Sequence, residues 1–168
     1  LVAAEVALVD FQSRNEERIL QNQLNNLVSR QQRYLNLQIN LEDLLRDIEA
    51  FRGLLAGRPD TEPLSQVDQL TALSLQADIF NSPLGNIQLD LSTDFDLLSS
   101  GRSEVIANLD DLAVMLSERN VSFDESINDL SPQILELQEK LIELDNERNR
   151  LDTELARARD SKDLFSRS

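Results

Sequence analysis

The chain of 168 residues contains no Cys and no His, and its 31 acidic and 16 basic residues give a formal charge of −15. Without Cys there are no disulfides or thiolate metal sites, and without His there is no Ser-His or Cys-His nucleophile pair and no usual zinc ligand set. Charge of this sign repels phosphate backbones, so nucleic acid is not an expected partner. Apolar residues make up 40% and aromatics only 4%, a Leu, Ile, Val and Ala filling that suits helix seams better than sandwiches or barrels.

The first stretch carries apolar residues at alternating three- and four-residue steps. One heptad position runs Val6, Ser13, Leu20, Leu27, Tyr34, Leu41, Ile48, Leu55 and its partner runs Val2, Val9, Glu16, Gln23, Arg30, Leu37, Leu44, Phe51. A mean spacing of about 3.5 residues keeps one stripe facing a partner helix over many turns. The spacing predicts a first long helix over 1–56. Polar residues at 13, 16, 23 and 30 weaken its early seam, and the run from Tyr34 to Leu55 makes the firmer part.

Gly53, Gly57, Arg58, Pro59 and Asp60 then supply breaker chemistry, and Pro63 with Ser65 opens a shorter helix along Leu64, Val67, Leu70, Leu73, Leu75, Ile79 and Phe80. A turn over Asn81 to Gly85 leads to alternation of Ile87, Leu89 and Leu91, which predicts one short extended segment at 86–91. Val105, Ile106, Leu109, Leu112, Ala113 and Leu116 share a helical face, in a piece bounded by Ser103 and Asn120. Residues 57–121 thus read as a tip, with Leu73, Ile79, Phe80, Ile87, Leu89 and Leu91 as its candidate contacts.

A second long helix is predicted over 122–168, opening at Ser122, or at Ser131 with Pro132 in the first helical position. If the helix runs through Pro132, a kink is expected there. Its seam holds Ile127, Leu130, Ile134, Leu137, Leu141, Leu144, Leu151 and Leu155, interrupted by Arg148 and Lys162. Antiparallel pairing with the first helix is the simplest topology. Setting Leu55 opposite Phe123 brings Glu16 to Lys162 and Arg30 to Arg148, and places the firm seam of Tyr34 to Leu55 against Ile127 to Leu144. The expected class is all-α: a long antiparallel helical hairpin with a small helical tip.

No catalytic, cofactor or metal site is expected. The four Gly residues form neither G-x-G-x-x-G nor a phosphate loop. Asp90, Asp94 and Asp96 lack the EF-hand spacing and read as cap and surface residues. Asp110 beside Asp111, and Glu16 beside Glu17, read as helix-surface acids, and Asn120-Val121-Ser122 as a chance glycosylation sequon. No apolar run approaches the roughly 18 residues that span a bilayer, so membrane contact is expected only through segments outside this chain. The chain begins at Leu1 without a methionine and reads as a piece excised from a longer protein.

The order of long helix, apolar break and second long helix ending in Leu155-Ala156-Arg157-Ala158-Arg159-Asp160 resembles the extracytoplasmic region of Wzz-type polysaccharide co-polymerases. The break itself, Leu73 to Leu91, resembles theirs also. Ala158, Arg159 and Asp160 match a family run that continues to an aromatic residue, where this chain has Lys162, with Phe165 three residues on. The resemblance implies a non-catalytic, oligomerising, periplasmic part of an inner-membrane protein that regulates surface polysaccharide polymerisation, chain length or export. Implied partners are further copies of the chain in the full-length protein, with other envelope proteins or polysaccharide at the tip. Two other readings stay open on the sequence: a coiled-coil hairpin of a membrane-fusion or secretion adaptor, and a cytoplasmic coiled-coil scaffold.

Overall fold

The computed structural model describes residues 2–59, 62–81 and 101–167. They form three helices, α1 (Val2–Ala56), α2 (Gln66–Asn81) and α3 (Arg102–Arg167), with no strand among the described residues. The protein is all-α, as the periodicity requires. The extended segment at 86–91, with Ile87, Leu89, Leu91 and the acids at 90, 94 and 96, lies outside the described residues.

Local chemistry sets the helix ends. Ser65 caps α2: its hydroxyl accepts the Asp68 N–H at 3.2 Å, and its carbonyl takes the first helical bond from Gln69 at 2.9 Å. Gly101 performs the second of these tasks for α3, accepting from Val105 N at 3.0 Å. The second long helix therefore starts at Arg102, not at Ser122 or Ser131, and neither Ser103 nor Asn120 bounds a separate piece. Apolar positions Val105 to Phe123 continue in phase with those after Leu130, so no interruption separates the two runs. Pro132 sits inside α3. Its missing N–H costs a bond to the Asn128 carbonyl, and in the disturbed turn the Gln133 side chain donates to the Asp129 carbonyl at 3.1 Å.

The chain divides into two compact units. Unit 2, Gln32–Ile127, combines the second part of α1, all of α2 and the first part of α3. Its core holds Leu41, Leu44, Ile48, Phe51 and Leu55 from α1, Ala72, Leu75 and Ile79 from α2, and Val105, Leu109, Leu112, Leu116 and Phe123 from α3. Tyr34 and Leu37 pack at its edge. The firm stretch of α1 owes its burial to two neighbours, α2 and residues 105–123, and not to Ile127 to Leu144 as the heptads predict.

Unit 1 joins Leu1–Gln31 to Asn128–Ser168. Only Leu24 and Leu130 are buried among its described apolar residues; Leu27, Ile134, Leu137, Leu141, Leu144, Leu151 and Leu155 are half-buried, as expected of a two-helix seam. The α1 stripe here differs from expectation. Asp10, Glu17, Leu24 and Gln31 alternate with Val6, Ser13, Leu20 and Leu27 on the covered side, while Val9, Glu16, Gln23 and Arg30 are exposed. The shift places Leu24 inside instead of Gln23. Beyond Tyr34 the stripe returns to Leu37, Leu44 and Phe51 through two consecutive three-residue steps, Gln31 to Tyr34 to Leu37, a break in phase of the kind that inserts or removes part of a heptad.

Candidate interaction surfaces

Polar pairs fix the antiparallel register in each unit. In unit 2, Tyr34 lies against Phe123 with ring centroids 6.0 Å apart, and Arg119 stacks over Phe123 at 5.8 Å. Gln38 Nε2 donates to Asn120 Oδ1 at 3.1 Å, and Arg52 donates to both carboxylate oxygens of Asp110. That hydrogen bond, and then the charge of Asp110, hold the Arg52 guanidinium further toward its cationic form. Asp110 is thus one arm of a bidentate ion pair.

In unit 1, Arg148 Nη2 donates to Glu17, and Gln31 Nε2 donates to Ser131 Oγ at 2.9 Å. Phe123 accordingly meets Tyr34 instead of Leu55, and Arg148 meets Glu17 instead of Arg30. The alignment taken from the sequence fails because it begins α3 twenty positions too late, and the like-charge clash between Arg30 and Arg148 disappears with it.

The link between α1 and α2 is held by two arginines. Arg58 pairs with Asp68, a carboxylate-bearing residue only 1% exposed. Arg102, the first residue of α3, donates to the carbonyls of Pro59 and Pro63 and is itself buried. Its Nε has no hydrogen-bond partner among the described residues. Sequence reasoning missed both pairs, since a single Arg in a breaker segment gives no periodic signal; the S-x-x-D pattern at Ser65 to Asp68 was the one available sign.

Open grooves follow from this packing among the described residues, and three of them bear on what could dock. The first, of 590 Å³, runs between α1 and α2 in unit 2 and is floored by Phe51 and Leu75, walled by Leu54, Val67 and Leu70, and flanked by Asp47 and Asp78. The buried face of α2 is Asp68, Ala72, Leu75 and Ile79, so Val67 at 70% and Leu70 at 66% exposure line the outside. Of the expected tip contacts, Ile79 is a core residue, Leu73 is exposed, Phe80 belongs to α2, and Ile87, Leu89 and Leu91 are outside the described residues. The second groove, of 360 Å³, lies over Leu27 and Leu137 in unit 1. The third, of 740 Å³, is lined by the small or medium apolar residues Ala3, Val6, Ala7, Leu155 and Ala158, with Asp10, Asp152, Arg159 and Lys162 beside them.

Chemically these grooves offer aliphatic walls with carboxylates, amides and ammonium or guanidinium groups at their rims. Among the described residues no three metal-ligating side chains come together. None of the described helices is long and apolar enough to cross a membrane. The arrangement suits docking of further helices. Compared with known proteins, the chain matches no family model, no curated protein and no solved structure.

Proposed function

We propose that this chain is a non-catalytic, self-associating helical module, the periplasmic part of a bacterial inner-membrane protein that regulates surface polysaccharide polymerisation, chain length or export. The observation that carries the structural part is the pairing of two helices of 55 and 66 residues, in antiparallel sense within each unit, while large apolar side chains remain on their outer faces. Leu135 and Ile142, seven residues apart on α3, are both more than half exposed. Their alignment on one helix face supports a reading in which another helix covers them. The polysaccharide part is supported by the resemblance of Leu155 to Asp160 and of the break after Leu73 to the co-polymerase pattern.

The α1–α2 groove is the surface through which unit 2 would meet other envelope components. Val67→Glu with Leu70→Glu, introduced in the full-length protein in its host, places two charges on this groove without touching the core. Surface polysaccharide is then resolved by length on a gel. A changed length distribution at normal protein level is expected; an unaltered one overturns the reading.

A further inference from the structure

The two ends of the α1–α2 groove differ in charge. Its lining runs from Asp47 to Arg58 on α1 and from Val67 to Asp78 on α2. The two helices are joined by a short link and share one core, so they run antiparallel, and the Arg58–Asp68 pair sets their register at the link end. Asp47 lies eleven positions from Arg58, and Asp78 ten from Asp68. Both carboxylates therefore stand about 15–17 Å further along, level with each other at the far end. Arg58 neutralises Asp68, but neither Asp47 nor Asp78 has an ion-pair partner among the described residues.

Between those ends the walls are apolar. Leu54, Val67 and Leu70 each leave half or more of their surface in water. The span of about 15 Å is close to three helical turns, the length over which residues at i, i+3, i+4 and i+7 present one apolar stripe. Charge then selects what lies there. An uncharged apolar helix would partly dehydrate two neighbouring carboxylates without pairing them, whereas a cationic end pairs both. A second copy of the chain carries a formal charge of −15, and residues 82–100 hold three acids and no base, so neither brings the cations that Asp47 and Asp78 lack.

We infer that the α1–α2 groove takes an amphipathic helix of a different protein, apolar over about two turns and carrying Lys or Arg in the next, with those cations at Asp47 and Asp78. The inference rests on the reading of this groove as a docking surface, proposed above, and not on polysaccharide. The incoming helix lies along α1 and α2 and covers Leu54, Val67 and Leu70, so that the three-helix core of unit 2 gains a fourth helix. Exposed ion pairs add little free energy by themselves. The apolar stripe therefore supplies most of the affinity, and the two carboxylates supply the choice of partner and its direction in the groove.

The test uses the full chain and a fluorescein-labelled helical peptide of about 18 residues, with Leu at i, i+3, i+4 and i+7 and two Lys in the following turn, in an Ala-Gln background. Binding is read by anisotropy at about 50 mM salt, where surface charges are little screened. The Lys peptide is expected to bind at least about tenfold more tightly than the same peptide with Glu in place of Lys. Asp47→Lys with Asp78→Lys inverts that preference. Glu139→Lys with Glu143→Lys, an equal change of net charge placed in unit 1, leaves it within about twofold. Val67→Ser with Leu70→Ser weakens the Lys peptide at least about tenfold at unchanged helicity by circular dichroism. No binding, equal binding of the two peptides, or equal effects of the two charge reversals overturns the inference. So does binding that weakens as the chain is concentrated, which gives the groove to a second copy, or binding that requires residues 82–100 to be replaced by a Gly-Ser linker, which gives it to the chain itself. A polysaccharide length distribution altered by Val67→Glu with Leu70→Glu, together with no preference for the Lys peptide, overturns this inference and leaves the docking surface standing.

Discussion

Asp68 presents the sharpest conflict in the molecule, a carboxylate-bearing residue almost wholly buried on the apolar face of a short helix. Two neighbours and its own position make it tolerable: Arg58 supplies the opposite charge, Ser65 receives its backbone N–H, and the first turn of α2 suits a negative group. Removing only the cation leaves the carboxylate without its ion-pair partner. Arg58→Met is therefore expected to lower stability by about 1–3 kcal/mol, scaled down from a fully buried pair because Arg58 keeps partial contact with water. Arg58→Met combined with Asp68→Leu removes the conflict and should recover most of that loss, as measured by urea denaturation followed at 222 nm. Arg102 acts on the same link from the other side, since its two bonds go to carbonyls that no helix satisfies.

Of the three helices, α1 and the second part of α3 were legible from spacing, because a 3.5-residue repeat of Leu and Ile sustained over many turns stays on one side of the backbone only in a helix. The joined start of α3 was not. Ser122 and Ser131 are good cap residues, and Pro132 is common at a first helical turn, so local preference argued for a boundary that packing overrides. Leu116, Phe123 and Leu130, buried on either side of Ser122, hold the helix together where its caps would have ended it. The outer positions of α2 are not distinguishable in the sequence for a related reason: eight apolar residues in sixteen leave the direction of the core undetermined until α1 is in place. Pro132 should carry a measurable cost. Its ring removes one helical bond at an exposed site, so Pro132→Ala is expected to raise the stability of unit 1 by about 1–3 kcal/mol, read as a higher thermal midpoint.

Across the whole molecule, burial is distributed unequally. Among the described residues, unit 2 buries thirteen apolar side chains in one cluster drawn from three helices, whereas unit 1 buries Leu24 and Leu130. Local opening free energy follows buried apolar contact, so amides over 41–55 and 105–123 should exchange with deuterium at least about tenfold more slowly than those over 6–24 and 137–155. Equal protection in both sets would mean that unit 1 is covered by something beyond its own two helices. Sequence periodicity could not reveal this inequality, because Tyr34 to Leu55 and Ile127 to Leu144 look equally strong as heptads while, among the described residues, only the former meets a third helix. The division also has a consequence for the order of events during synthesis. Unit 2 is one unbroken segment, Gln32–Ile127, whereas unit 1 is made from the two ends of the chain. Residues 2–31 therefore emerge before their unit 1 partner and wait through the making of the whole of unit 2. Contacts within residues 32–127 are available before residues 128–167 have been made, and those later residues complete the seam with residues 2–31.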